Sequence, residues 1–390
     1  MLVYVPPGVD PAASFAGRDL LDRARALARA ARLAPAVVGG PDSTERGEAS
    51  WARLAAGDPL PAGDGPLVLL RCDAACVAGA VRDVLAADGR PLAARDDRGR
   101  VALVRTTAAA LGTSVPPDLE TAAAGAVLEP RSGWLGGRRL LALPYAAVGA
   151  DHAAASLERE RAERELVASL ENPRDGFFDR ILNRPLSRPL SLALLRVAVT
   201  PNQITGFGLL LSFAGAALIA LPGVLWPVLG ALLLQATAVL DCVDGEIARA
   251  KVLETEWGEW LDITSDTLIH VATFLGIAVH AWPELGRSTA WLLGALFACG
   301  GLASFAVVTR AEKTEELWKP LGVWQSRLLG ALLATLTTRD LSVLVLVAAA
   351  SGLLTELLIG AAIGAQAFWV GALALLTDVL RRAREASPAS

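Results

Sequence analysis

Four aspartates carry the chemistry that this sequence offers. Asp241 and Asp244 are three residues apart and Asp262 and Asp266 four apart, each pair set in a largely apolar stretch. Residues three and four apart share a face of a helix, so each pair projects from one side and the four carboxylates can converge between two neighbouring helices. Ionisable groups inside apolar spans are expensive and point to function. Carboxylates gathered in a partly desolvated site cannot all stay ionised without a counter-charge, and oxygen donors without His or Cys suit hard Mg²⁺ or Mn²⁺. Gly245 and Ala248 lie one and two turns beyond Asp241, and Gly258 one turn before Asp262, which leaves room for a flat ligand against the backbone. Arg249, beside that stripe, offers a two-pronged guanidinium for phosphate oxygens. His270, four residues after Asp266, reads as a packed or supporting histidine rather than a ligand. Metal and arginine beside a nucleotide-sized gap amount to phosphoryl-transfer chemistry.

The elements that must hold these residues are membrane helices. Apolar runs near the ~20 residues that a bilayer requires place six spans at approximately 203–221, 224–249, 259–281, 289–309, 340–357 and 359–380. Basic residues cluster before the first span (Arg174, Arg180, Arg184, Arg188, Arg196), between the fourth and fifth (Arg310, Lys313, Lys319, Arg327, Arg339) and after the last (Arg381, Arg382, Arg384), while the opposite loops offer Arg287. The positive-inside rule then puts both termini and the charged ends of the second and third spans in the cytosol. The opening MLVYVPPGVD has too short an apolar stretch for a signal peptide, so the first domain is expected to stay cytosolic. Ahead of the first span, residues 173–200 interleave Phe177, Phe178, Ile181, Leu182, Leu186 and Leu190 with arginines, the pattern of a segment lying along the bilayer surface. Pro185 and Pro189 predict two short pieces rather than one helix.

Residues 1–165 read as a soluble α/β domain. LVYV at 2–5, a helix within 18–33, AVVGG at 36–40, PLVLLRCD at 66–73 and the helix that follows alternate as in a parallel sheet. A hairpin is expected over 91–105 around Asp-Asp-Arg-Gly, and the charged run 151–170 reads as a solvated helix leading out of the domain. Residues 166–200 are the linker and interfacial segment, and 201–385 the membrane domain. Cys72, Cys76, Cys242 and Cys299 show no zinc-site spacing and read as reduced packing residues. A net charge of -4 argues against a nucleic-acid partner, which needs a clustered basic face.

The run Asp241-x2-Asp244-Gly245-x2-Ala248-Arg249-x8-Gly258-x3-Asp262-x3-Asp266 resembles, at all eight fixed positions, the signature of the CDP-alcohol phosphotransferases, over residues 175–380. Pro201-Asn202-Gln203-Ile204-Thr205 also looks like that family's motif at the start of the first span, although Pro followed by Asn and Thr is an ordinary helix start too. The resemblance implies an integral protein of the cell (inner) membrane, a homodimer with six spans that uses two divalent ions. It implies that Asp241, Asp244 and Asp262 are the principal metal ligands, with Asp266 as catalytic base that also touches the second metal. Asn202, Thr205, Asp241, Gly245, Ala248, Arg249 and Gly258 would line the CDP site. A phosphoalcohol would pass from a CDP-alcohol to an acceptor alcohol with release of CMP, and Arg310, Arg327 and Arg339 would grip the phosphate of a phosphorylated polyol acceptor. Those arginines equally satisfy the positive-inside rule and bind anionic lipid head groups.

The first domain is similar to nucleotidyltransferases of the kind fused to this membrane unit in inositol-phosphate cytidylyltransferase and di-inositol-phosphate-phosphate synthase relatives. Asp73 and Asp151 stand where such enzymes place metal ligands. PPGVDPAASFAGRD, however, lacks the Gly-rich loop with Arg and Lys that cradles a triphosphate. A catalytically degenerate domain is therefore expected, one alternative being a scaffold that docks on the membrane unit or assists dimerisation. Two other function classes compete with the transferase. A transporter, ion pathway or proton relay would spread carboxylates through several spans, and a nucleotide-binding membrane protein without turnover would lack one motif carboxylate. Neither pattern is present.

Overall fold

A computed structural model of the chain describes residues 1–4, 14–15, 18–33, 36–38, 52–54, 58–60, 66–72, 74–76, 78–86, 91–96, 98–111, 114–116, 118–124, 126–129, 134–135, 138–142, 152–170, 175–312 and 340–386. The chain forms two compact units. The first gathers 1–171 with 188–201 and 245–255, and the second gathers 172–187, 202–244 and 256–390.

In the first unit a seven-stranded sheet runs in the order Val127–Leu128, Leu92–Arg95, Val101–Thr107, Pro66–Arg71, Leu2–Tyr4, Ala36–Val38, Ala52–Leu54. Leu2–Tyr4 pairs in parallel with both Ala36–Val38 and Pro66–Arg71, as alternating strand and helix patterns predict. Val101–Thr107, in contrast, runs antiparallel to both of its neighbours, so the sheet is mixed rather than parallel. The cause is the expected hairpin. Asp96, fully buried, accepts Arg98 N–H and Arg100 N–H at 3.0 and 2.9 Å and binds Arg100 Nε at 2.9 Å, and Gly99 closes the turn at φ 79°. That local hydrogen bonding reverses the chain before any crossover can form. Leu2, Leu69, Val101 and Val104 pack with Val115 and Leu119 in its core.

The charged run forms the helix His152–Ala168. It is not solvated all round, because Ala162, Glu163, Leu166 and Val167 are buried. Buried Glu163 takes Arg196 Nη2 at 2.9 Å, and that ion pair holds the Arg196 guanidinium above its ordinary pKa. Cys72 and Cys76 are buried free thiols, and burial pushes Cys76 up to about 11. Cys242 is buried too, whereas Cys299 is exposed on its helix and is not a packing residue.

Pro185 has no N–H to donate, and the turn before it, Asp179–Asn183, widens into a π-helix closed by Arg184 N–H on the Asp179 carbonyl. The following helix, Arg184–Leu195, contains Pro189 in its interior, so the segment changes at the first proline and not at the second.

The second unit is helical. Pro201–Ile219, Leu225–Ala250, Glu256–His280 and Leu354–Ala374 are long and apolar enough to cross a membrane, four helices among the described residues. Arg287–Glu312 adds another helix of 26 residues. The expected span 340–357 departs from the pattern. Its helix, Asp340–Ser351, has 12 residues, about 18 Å at 1.5 Å per residue, and ends where Gly352 takes φ 70°. The last helix starts at Leu354 and runs to Ala386. Gly352 lies within an apolar run, so hydropathy does not mark the break.

Helix packing here relies on small residues, which let backbones approach. A Cβ on Gly276 would collide with the Ala216 carbonyl of the neighbouring helix. Ile219, Ala231, Leu234, Phe274, Ile277 and Leu358 form the adjoining core. Gly276→Val is therefore expected to cost about 1–3 kcal/mol by overpacking, read as a lower midpoint of thermal unfolding in detergent. Gly360→Ala, with nothing within 4 Å of the new methyl, should leave the midpoint unchanged.

Candidate active site

Leu225–Ala250 and Glu256–His280 bring Asp241, Asp244 and Asp262 together, with one carboxylate oxygen of each within 4.8 Å of the others. Asp244 is buried, and Thr205, from the first turns of Pro201–Ile219, donates its hydroxyl to Asp244 Oδ2 at 2.5 Å. That bond fixes the orientation of one carboxylate from a third helix. Asp266 lies one turn beyond Asp262 and stands with Asp241 on the wall of a cleft of about 60 Å³. The other walls include Leu234, His270, Leu341 and Ser342. A smaller cavity of about 10 Å³ is bounded by Thr205, Gly208, Asp241, Asp244, Ser265 and Asp266. Three aspartates thus form a compact oxygen cluster while the fourth faces open space beside it.

The donor set fits a divalent ion. Three carboxylate oxygens at this spacing match the hard ligands that Mg²⁺ and Mn²⁺ prefer, and without a cation their mutual repulsion in a half-buried site is severe.

The remaining candidates fall in several places. Asn202 is exposed in the first turn of Pro201–Ile219, and Gly258 is half-buried in the first turn of Glu256–His280. His270 is half-buried on the cleft wall. In the first unit, Gly245 faces Arg249: a Cβ there would lie 3.2 Å from Arg249 Nη1 and 3.3 Å from Nη2. The absent side chain makes room for the guanidinium, a role more specific than space for a flat ligand. Ala248 is half-buried on the same helix. Arg310 belongs to the helix Arg287–Glu312, but its side chain lies outside the described residues, as do Arg327, Arg339, Asp73 and Asp151.

Several polar residues around the site escape a reading of spacing alone. In the second unit Ser342, on the cleft wall, donates to Gln235 Oε1 at 2.9 Å. Gln235 Nε2 donates to Asn183 Oδ1 at 2.6 Å, and Asn183 Nδ2 to Asp179 Oδ1 at 2.8 Å. Asn183 and Asp179 are buried. Gln235, polar within the apolar run LLLQATAVL, is the one signal that could have revealed this chain. In the first unit buried Glu246 accepts Ser191 Oγ–H at 2.6 Å. Buried Lys251 donates to the carbonyls of Leu194, Val197 and Val199 at 3.2, 2.6 and 3.3 Å, capping the end of Arg184–Leu195.

Residues 198–377 match the family model described as CDP-alcohol phosphatidyltransferase. The chain is 37% identical over 139 residues to a protein of Aquifex aeolicus named bifunctional IPC transferase and DIPP synthase, covering 35% of this chain and 31% of the relative. A protein of the same name from Archaeoglobus fulgidus is 35% identical over 156 residues, 40% of this chain and 29% of the relative. The chain thus spans about a third of the length of these relatives. A phosphatidylinositol phosphate synthase of Cutibacterium acnes is 36% identical over 130 residues, 32% of this chain and 59% of the relative.

Because Thr205 orients Asp244, Thr205→Val is expected to weaken Mn²⁺ binding about tenfold, the lower end of what lost ligand support costs. Calorimetric titration of the detergent-solubilised protein measures it, and an unchanged affinity would remove Thr205 from the site.

Proposed function

We propose that residues 198–377, which match the family model described as CDP-alcohol phosphatidyltransferase, form such a domain and that the chain transfers a phosphoalcohol from a CDP-alcohol to an acceptor alcohol, with release of CMP. The observation that carries this reading is the cluster of Asp241, Asp244 and Asp262 oxygens within 4.8 Å, with Asp266 next to it on an open cleft. Asp241, Asp244 and Asp262 would hold the metal, and Asp266 would take part in a second ion site. Bound Mg²⁺ or Mn²⁺ supplies positive charge against the donor diphosphate.

The chain's own residues do the rest. Arg249 donates to the diphosphate oxygens, and Asn202, Thr205, Gly245, Ala248 and Gly258 line the CDP side. The acceptor hydroxyl oxygen attacks the phosphorus that bears the alcohol, and its proton passes to the Asp266 carboxylate. The bond from that phosphorus to the bridging oxygen breaks, and CMP departs with the electron pair.

The acceptor is a phosphorylated polyol held by Arg310, Arg327 and Arg339. The printed name of the Cutibacterium acnes relative, a phosphatidylinositol phosphate synthase, supports this choice over a diacylglycerol. Residues 201–385 would form a six-span domain of the inner membrane and act as a homodimer among membrane lipids, with both termini cytosolic by the positive-inside rule. Exposed Phe177, Ile181, Leu186 and Leu190 support residues 166–200 as a linker and interfacial segment. Residues 1–165 are a degenerate nucleotidyltransferase-like domain, since the loop after the first strand lacks triphosphate-binding residues.

Turnover is expected to vanish with EDTA and return with Mg²⁺ or Mn²⁺, followed by mass spectrometry over a panel of CDP-alcohols and polyol phosphates. Full activity in metal-free buffer would end this reading. Asp266→Asn should lower kcat by about 10²–10⁴-fold, the worth of a general base, while CDP-alcohol binding stays within a few-fold of the unaltered protein. Near-normal turnover in that variant would place the base elsewhere.

A further inference from the structure

The helix that carries Asp241 and Asp244 ends at Ala250, one residue after Arg249, and the way it ends is unusual. A helix leaves its last four carbonyls without intrahelical partners. Three are satisfied by the chain itself, Lys251 N–H reaching the Ile247 carbonyl at 2.9 Å, Leu253 N–H the Ala248 carbonyl at 2.7 Å and Val252 N–H the Arg249 carbonyl at 3.3 Å. To do so Val252 adopts φ 53°, a left-handed conformation that is costly for a β-branched residue and persists when surrounding contacts over-determine it.

Those contacts lie within the first compact unit, which joins residues 245–255 to residues 1–171. Arg23, on the helix Leu20–Ala30 of the α/β domain, is 1% exposed. Its Nη1 donates to the Ala250 carbonyl, and its Nη2 to the Cys76 carbonyl at 3.2 Å. A buried guanidinium in a low-dielectric setting is expensive unless its donors are used, so its fork fixes two carbonyls from separate parts of the chain. Lys251 anchors the next residue to the carbonyls of 194, 197 and 199, and Arg82 pairs with Glu254 at 3.7 Å.

We propose that Arg23 is a positioning residue for donor binding: by gripping the Ala250 carbonyl, the α/β domain sets the trajectory of the adjacent Arg249, whose guanidinium lies against Gly245. The α/β domain thereby acts on Arg249 even without chemistry of its own. This rests on the transferase reading for the role of Arg249, but the grip itself does not.

Arg23→Met in the full chain keeps the apolar stem and removes both donors. The expected result is a rise of about tenfold in donor KM, with acceptor KM within about twofold, and faster hydrogen exchange at the amides of 251–253. Arg23→Lys, which lacks the planar fork, should raise donor KM about threefold and decides the matter if the methionine variant does not fold. Arg82→Ala, which removes a half-exposed pair, should leave donor KM within about twofold. Exchange needs no turnover, so it separates loss of the grip from failure of the transferase reading. Unchanged exchange at 251–253 in a folded Arg23→Met protein overturns the grip. Faster exchange with normal donor KM overturns the positioning role.

Discussion

Mutual repulsion among aspartates is the constraint on which this structure turns. Three carboxylate oxygens within 4.8 Å, on helices apolar enough to cross a membrane, cannot be held by their own attraction. They stay close because the helices that carry them are fixed by other means. Glycine lets Glu256–His280 approach the backbone of Pro201–Ile219 at Ala216, and Thr205 ties Asp244 from that same helix. Packing energy thus opposes electrostatic repulsion, and a divalent cation relieves what packing alone would have to restrain.

Polar chains reinforce that packing where water is scarce. Ser342, Gln235, Asn183 and Asp179 hand a hydrogen bond from one to the next, and each buried group in such a chain finds its partner in another member. Arg184 and Asp175 form a buried two-pronged pair with both bonds at 2.9 Å. Such groups contribute little net stability against apolar replacements but penalise any other arrangement heavily. They are suited to a cleft whose carboxylates must stay in place while open space is kept beside Asp266.

The α/β domain follows the same logic. Its sheet is mixed because a buried Asp96 turn reverses the chain, and the helix Leu20–Ala30 carries the buried Arg23, one donor of which serves the Cys76 carbonyl. The destination of that arginine, the Ala250 carbonyl, lies 227 residues away in the chain.

The two helices that carry the four aspartates, the long apolar helices and the helix-strand alternation among the described residues of 1–111 were legible in the sequence, because periodicity and spacing act through neighbours along the chain. The hairpin was legible too, its turn chemistry being contained in residues 96–99. Tertiary structure decided the rest. Spacing placed four aspartates on two faces, but only the packing of three helices set Asp241, Asp244 and Asp262 together and left Asp266 on the cleft. The π-turn before Pro185 and the helix break at Gly352 depend on hydrogen bonds that hydropathy does not register. The partners Gln235–Ser342 and Arg23–Ala250 are separated by 107 and 227 residues, and no local pattern specifies contacts whose loop closure is repaid only once the whole fold has formed.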